Sequence, residues 1–464
     1  MSKKLTALII NPPIRVHSPA VNFPLGLGYL AAVLRQSGCK VTVLELNALR
    51  LEKEKIIKFL ERKKFDIITL GGMITIWNYA YWLLSEIRRT NPQAKLVLGG
   101  NLTTSIPELV MNRFKPDIMV IGEAESTITN LVQALQQGTP LSEVKGIWYF
   151  EGKEIKKTLP NELIKDINTV PYPAWDLFPM EAYINQPTHE SGLRRRMDMI
   201  SSRGCPFTCK FCYQMYGQTY RFRSPENILG EIDQLQKQYR IRNVSFLDDH
   251  LTANPARLQK FCDALIEQKR DLTWSCLGRV DSVAPDRLKM MRKAGCTYIG
   301  FGIESGSQKM LDAMDKKVKV DRAKDAIRMA RKEGISVNAT FIIGFPGETR
   351  ETVMETVNFA REVKIPLALF FANPYPGTEL FNMAVKMGKI KDAEELIQKL
   401  GDASDLTVNF TDMSDEELMQ LRKEAMQMAK MSLPERFWIR YRTDGFRNFW
   451  FWTLKGLGFK PVPR

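Results

Sequence analysis
Two series of alternating strand and helix patterns, joined by a proline-rich stretch, limit the architectures open to this chain. In the first series, residues 5–10, 41–46, 66–70, 95–98 and 117–121 are short, almost continuous apolar runs. Such runs mark parallel strands covered on both faces; a half-exposed sheet would alternate apolar with polar residues. Between them, residues 25–37, 53–63, 78–90, 104–114 and 126–137 carry the apolar period of amphipathic helices. Five β-then-α units predict an α/β fold, a doubly wound Rossmann-like parallel sheet over residues 1–144.

Residues 145–195 break this rhythm. Residues 146–157 read as a hairpin, and Pro160, Pro171, Pro173 and Pro179 then punctuate a weakly periodic linker. Alternation resumes over 196–395, with strands predicted at 197–202, 244–247, 273–277, 298–303, 339–343 and 368–372. About six consecutive βα units fit an open, partial β/α barrel. Residues 396–464 form a helical C-terminal region, capped by Ser414 ahead of a helix running to Met431 and ending in an aromatic and basic tail.

In doubly wound sheets and in β/α barrels, ligands meet the carboxyl ends of the strands. The first series places Asn11-Pro12-Pro13, Gly71-Gly72, Gly99-Gly100-Asn101 and Gly122-Glu123 there. Such glycines serve simple tight turns, and they also let backbone approach a bulky ligand; together on one edge they point to a cofactor or nucleotide site.

In the second series Cys205, Cys209 and Cys212 lie within eight residues on the loop after the first barrel strand, as Cys-x3-Cys-x2-Cys. Cys39, Cys262, Cys276 and Cys296 are scattered, a usage that suits a reducing compartment with one thiolate site and not a disulfide framework. A tetrahedral zinc site needs a fourth ligand, and no Cys or His follows until His250. A cubane iron–sulfur cluster takes one thiolate per iron, so three thiolates leave one iron open to a non-protein ligand.

This motif resembles that of the radical S-adenosylmethionine (SAM) enzymes. The resemblance implies that Cys205, Cys209 and Cys212 ligate a [4Fe–4S] cluster whose open iron chelates the amino and carboxylate groups of SAM, with Phe211 beside the adenine. It continues through the later strand ends: Gly278-Arg279-Val280-Asp281, Gly302-Ile303-Glu304-Ser305-Gly306 and Ile343-Gly344-Phe345-Pro346-Gly347-Glu348. By resemblance Glu304 accepts from the ribose hydroxyls, Arg279 pairs with the SAM carboxylate, and Ser305 and Gly344 border the cofactor. Without the cysteines, Glu304 and Arg279 would read as a salt bridge at the barrel rim. Phe246-Leu247-Asp248-Asp249-His250 ends the second strand, where successive residues face opposite ways. Asp249 and His250 are the catalytic candidates there, His250 for proton transfer.

Pro24-Leu25-Gly26-Leu27-Gly28-Tyr29-Leu30-Ala31, followed by the strand-end glycines, is similar to the cobalamin-binding branch of the same superfamily. That resemblance implies a corrin bordered by Gly71, Gly72, Gly99, Gly100, Gly122 and Glu123. The chain lacks the Asp-x-His-x-x-Gly motif that supplies a cobalt ligand in the cobalamin mutases, and its one histidine in this region is His17. Either the corrin is held without a histidine, or the domain is a relic. The activity implied is cleavage of SAM to a 5′-deoxyadenosyl radical for cobalamin-dependent methylation of an unactivated carbon, with flavodoxin or ferredoxin as electron donor. Some relatives use the same cofactors for ring formation or rearrangement.

Lys+Arg 67 against Asp+Glu 52 leaves a net charge of +15, a field that attracts phosphate, nucleic acid or anionic lipid. Over 433–464, nine Phe, Trp and Tyr residues, Trp438, Trp450 and Trp452 among them, mix with Arg and Lys. This mixture suits a lipid headgroup boundary, hence a peripheral membrane contact and a lipid-like substrate, and it equally suits a helix packed against the barrel. No apolar run nears the roughly 18 residues of a membrane helix, and 5–10 is too short for a signal-peptide core, so a cytoplasmic enzyme with a small-molecule or lipid substrate is expected. Two rivals rank lower: an RNA-modifying relative, which would carry three further cysteines in its first domain, and a zinc-containing nucleic-acid-binding module.

Overall fold
Strands β1 (Thr6–Asn11), β2 (Lys40–Glu45), β3 (Ile67–Gly71), β4 (Lys95–Gly99) and β5 (Ile118–Val120) form a parallel sheet in the order β2-β1-β3-β4-β5. The computed structural model describes residues 4–15, 22–186, 195–430 and 432, so His17 and the tail over 433–464 lie outside the described residues. β3 is buried along its whole length, as the unbroken apolar run requires. The order reverses between β1 and β3, and at that switch point the loops leaving the two strands diverge to either side and open a crevice. β6 (Ile147–Glu151) and β7 (Glu154–Lys157) form the expected hairpin, which continues the same sheet antiparallel to β5.

The expected helix over 104–114 is divided into a turn at Asn101–Thr104 and a helix at Pro107–Phe114. Pro107 lacks an N–H and forces its predecessor out of helical geometry, and Ile106 accordingly has φ −146°. The proline-rich stretch packs on this first unit: Ala174 N–H donates to Gly28 O at 3.0 Å, and Phe23 meets the rings of Trp175, Phe178 and Tyr183. Residues 390–401 also cluster here, where Arg113 Nε lies 2.8 Å from Glu394 Oε1.

The second unit is a half-barrel. β8 (Arg196–Met199) leads into a two-stranded ribbon, β9 (Ser202–Arg203) and β10 (Arg221–Phe222). β11 (Asn243–Phe246), β12 (Thr273–Gly278), β13 (Cys296–Glu304), β14 (Ser336–Ile343) and β15 (Ala368–Phe371) follow, all parallel, in the order β8-β11-β12-β13-β14-β15. β8 and β15 are not hydrogen-bonded to each other, which leaves the barrel open. Phe246 and Trp274 pack edge-on against Phe261 of the helix Pro255–Glu267, so their strand neighbours face inward. On that inner face Leu277, Gly300 and Asn338 stand side by side on β12, β13 and β14. The C-terminal helix spans Asp415–Met428; Ser414 and Glu417 form a reciprocal capping box at its start. Among the described residues no helix is long and apolar enough to cross a membrane.

Candidate active site
The cysteine loop hangs between β9 and β10, after the carboxyl end of β8. Cys205 N–H donates to Gly217 O at 3.1 Å and Cys212 N–H to Cys209 O at 3.0 Å, which folds the loop on itself. Lys210 ties it to the rest of the barrel mouth: its N–H donates to Met314 O, its Nζ to Ala313 O, and its carbonyl accepts from Leu380 N–H at 2.7 Å. Cys205 and Cys209 are half-buried, Cys212 is accessible, and all three are free thiols. Although part of the residue is accessible, the packing around its sulfur desolvates the Cys212 thiol and pushes it up to about 12, with Cys209, Asp249 and Cys205 adding to the rise and Lys316 opposing it. Cys205 is raised too, by burial first. The sulfurs are thus close enough to feel one another's charge.

This donor set fits an iron–sulfur cluster: three soft ligands from one loop, facing a cation. Arg279 Nη1 lies 3.8 Å from Cys209 Sγ. Bound iron reverses the logic that raises Cys205 and Cys212, because a coordinated thiol is held as thiolate.

Arg279 leaves β12 almost fully buried and makes several contacts at once. Its guanidinium stacks 3.5 Å from the Phe207 ring centroid, pairs with Asp281 at 2.9 Å and donates to Lys316 O at 2.8 Å. Glu304 ends β13 beside a break in register with β14, with φ +74°, a left-handed conformation rare for a side-chain-bearing residue. Its Oε1 accepts from Lys316 Nζ at 2.9 Å. Glu304 and Arg279 therefore do not pair with each other: the ion-pair partner of Arg279 is Asp281 and that of Glu304 is Lys316, whose carbonyl Arg279 also contacts. Lys316 also lies 5.7 Å from the Phe211 ring centroid, and the sequence gives it no assigned role, standing as it does beside Lys317 and Lys319. The signal is conformational: Asp315 and Lys317 have φ +54° and +55°, and this kink turns the lysine between them inward.

The aspartates after β11 part as strand alternation requires. Asp248 is buried and accepts from Ser201 N–H at 2.9 Å and from the Ser202 hydroxyl at 2.6 Å. Asp249 keeps part of its side chain accessible and accepts from Gly204 N–H; the atoms packed around its carboxyl desolvate it and, with Asp248, raise it. His250 is buried against Phe207, ring centroids 5.7 Å apart. Burial, then Arg279, lowers its imidazole to about 4 and keeps it neutral at pH 7. Ser305 is also buried, its hydroxyl 3.1 Å from Thr356 Oγ1 and accepting from Ser307 N–H, so it braces the turn after β13. Gly344 N–H donates to Glu348 Oε2 at 2.9 Å.

In the first unit the predicted glycines meet at the carboxyl ends of β3 and β4. A Cβ on Gly71 would lie 3.2 Å from Gly99 O, and one on Gly100 would lie 3.2 Å from Gly72 N and O. Gly122 joins the same edge through its N–H, which donates to Thr104 Oγ1 at 3.2 Å. Glu123 turns back into the protein and accepts from Ile164 N–H at 2.9 Å. Asn11, expected at this edge, is buried together with Glu45, which the sequence did not single out: Asn11 Nδ2 donates to both oxygens of Glu45, at 2.9 and 2.8 Å, and burial raises that carboxyl. A backbone edge able to close on a flat, bulky ligand fits a corrin.

The comparisons agree with both halves. The family model of the radical SAM superfamily matches residues 199–360, and that of the B12 binding domain matches 13–132. An uncharacterised methyltransferase of Pyrococcus horikoshii is 34% identical over 366 residues, covering 78% of each chain. The anaerobic magnesium-protoporphyrin IX monomethyl ester cyclase of Cereibacter sphaeroides is 30% identical over 369 residues, 77% of this chain and 60% of that protein. A radical SAM methyltransferase from Kitasatospora setae, TsrM, solved with cobalamin and a [4Fe–4S] cluster bound, shares the fold at TM-score 0.72 and 16% identity, covering 99% of this chain and 96% of that one.

Proposed function
Because this chain belongs to the radical SAM enzymes that carry a B12-binding domain, we propose that it methylates an unactivated carbon of a small molecule, using a [4Fe–4S] cluster, SAM and cobalamin. One observation carries the reading: three free thiols share the barrel mouth with Arg279 and Glu304. When bound, the cofactors supply one-electron cleavage of SAM to a 5′-deoxyadenosyl radical and a transferable methyl group.

The chain's own residues bind, orient and exclude water. Cys205, Cys209 and Cys212 hold the cluster as thiolates. Arg279 offsets their negative charge and offers a planar fork to a carboxylate. Glu304 offers an acceptor to vicinal hydroxyls, with Lys316 fixing its carboxylate. Phe207 and Phe211 cover the loop and keep water from a reactive radical. Asp249, within electrostatic reach of the thiols, is the candidate for proton transfer. Gly71, Gly72, Gly99, Gly100 and Gly122 border the corrin, Glu123 supporting that edge from behind.

Anaerobic reconstitution tests this. The loaded chain should carry about four iron and four sulfide; about one zinc without sulfide would overturn the reading. With candidate substrates, 5′-deoxyadenosine together with S-adenosylhomocysteine supports methyl transfer. Deoxyadenosine alone supports ring formation or rearrangement, the second reading, which the 30% identity to the cyclase favours. We assign electron supply to a flavodoxin or ferredoxin. A lipid-like substrate and peripheral membrane contact rest on the composition of 433–464, and sedimentation with anionic vesicles, with and without those residues, checks them.

A further inference from the structure
In a closed β/α barrel the inward side chains fill the centre in layers of large, branched residues. The middle strands of this half-barrel do not. Phe341 of β14 packs edge-on against Phe359 of the helix Arg350–Glu362, so Asn338 and Thr340 face inward, and with them their ladder partners Gly300 and Gly302 of β13. The space over Gly302 is taken by the Glu304–Lys316 pair. Over Gly300 leans Leu277 of β12, its Cδ2 2.9 Å from where a Cβ would stand, and Leu277 is still 48% exposed. A leucine exposed on an outer surface needs no explanation, but this one lies where the fold normally packs its core. On the other side of Gly300, about 4.8 Å away across the ladder, Asn338 is exposed as well. Its Oδ1 accepts from Ala339 N–H at 2.9 Å, which leaves the two Nδ2 hydrogens without an acceptor among the described residues. Arg279 and Lys316, the buried cations of the barrel mouth, already face Asp281 and Glu304. This floor therefore sets an apolar surface beside a neutral donor, with neither cation free to hold an anion.

We propose that this floor receives the molecule to be methylated, Leu277 packing against an apolar part of it and Asn338 Nδ2 donating to a neutral acceptor oxygen such as a carbonyl. Asn338 then sets specificity: a plain hydrocarbon leaves its amide unmet, and a carboxylate or phosphate loses its water without gaining a cation. In calling the occupant a substrate, this rests on the functional reading given above.

The probes are three molecules of one shape: acetophenone, with a neutral acceptor oxygen; α-methylstyrene, with a CH2 in its place; and benzoate, an anion. Their binding to the full-length, cluster-loaded protein is titrated by saturation-transfer NMR, anaerobically and without reductant, with and without saturating SAM. The parent should bind acetophenone about fivefold more tightly than α-methylstyrene, the worth of one hydrogen bond, and benzoate more weakly than acetophenone. Asn338→Leu, at an exposed position and of similar size, should fold and lose the preference for acetophenone over α-methylstyrene. Gly300→Val, which fills the floor, should weaken both; should it not fold, Asn338→Leu carries the test alone. A parent that binds acetophenone no better than α-methylstyrene or benzoate overturns the proposal. So does a preference that survives in Asn338→Leu, and so does displacement of acetophenone by SAM, which would put the floor inside the SAM site. A parent that takes up no iron and sulfide would instead overturn the functional reading, whichever probe it binds.

Discussion

Lys316 Nζ donates to Glu304 Oε1 across 2.9 Å, with less than a tenth of either residue exposed. The pair fits against β13 only because residue 302 is glycine: a Cβ there would lie 2.5 Å from Glu304 Oε1 and 3.3 Å from Lys316 Nζ. Removing one partner of a buried pair strands the other charge, at a cost of about 3–5 kcal/mol. Lys316→Met should therefore lower the unfolding midpoint of the barrel. The double variant Lys316→Met/Glu304→Gln, which leaves no buried charge, should recover most of the loss. Calorimetry of the parent, single and double variants checks this, and a single variant as stable as the parent would show that the pair is not buried in solution.

Gly204 sets the geometry of the cysteine loop. It has φ +87°, and a Cβ at this position would collide with the Thr219 carbonyl. Gly204→Ala must strain or displace the residue directly before Cys205, a penalty of about 1–3 kcal/mol in a loop with few other supports. The expected outcome is a folded protein with reduced iron and sulfide after reconstitution. Metal analysis beside circular dichroism separates this from unfolding, and full cluster uptake would contradict it.

Glu348 gives the barrel a pH dependence of its own. Burial raises its carboxyl from 4.5 to about 7, against the opposing hydrogen bonds from Gly344 N–H and the Thr352 hydroxyl. A raised carboxyl is favoured in its neutral form by the folded state. Its stabilisation is full below about pH 4.5, falls as pH rises toward 7, and is gone above that, a change of up to about 3 kcal/mol. Glu348→Gln keeps an acceptor for Gly344 N–H, turns its amide NH2 toward the Thr352 hydroxyl, which can accept, and removes the titration. The slope of stability between pH 4.5 and 7 should flatten in this variant, as urea unfolding at several pH values would read out.

The fold was legible where pattern and physics coincide. The apolar runs ending at Ile10 and Leu70 are buried parallel strands because no other structure satisfies so many apolar residues and backbone groups in so short a length. The cysteines were legible because their spacing has few structural uses. The partners of Arg279 and Glu304 were not, since Lys316 lies 12 residues beyond Glu304 in a run of lysines and is brought inward by two left-handed residues that no periodicity signals. Ser305 and Glu123 show the converse: each sits at a strand end, as a ligand contact should, yet turns its side chain into the protein. Position along a strand was readable from sequence, whereas side-chain direction depended on neighbours distant in the chain.

At the first unit's edge, Gly100 has φ +81° and packs so closely on Gly72 that a Cβ would stand 3.2 Å from its N and O atoms. A valine here must adopt a conformation unfavourable to branched side chains and push the ends of β3 and β4 apart. Gly100→Val should therefore lose most of its capacity for cobalamin. The barrel, a separate compact unit with its own core, should keep its iron and sulfide. Both can be read from one anaerobically reconstituted sample, by corrin absorbance and by metal analysis. Stoichiometric cobalamin in the variant would remove this edge from the corrin site, while loss of both cofactors would point to a folding defect, to be separated by the milder Gly99→Ala, whose added Cβ meets only Val120 at 4.0 Å.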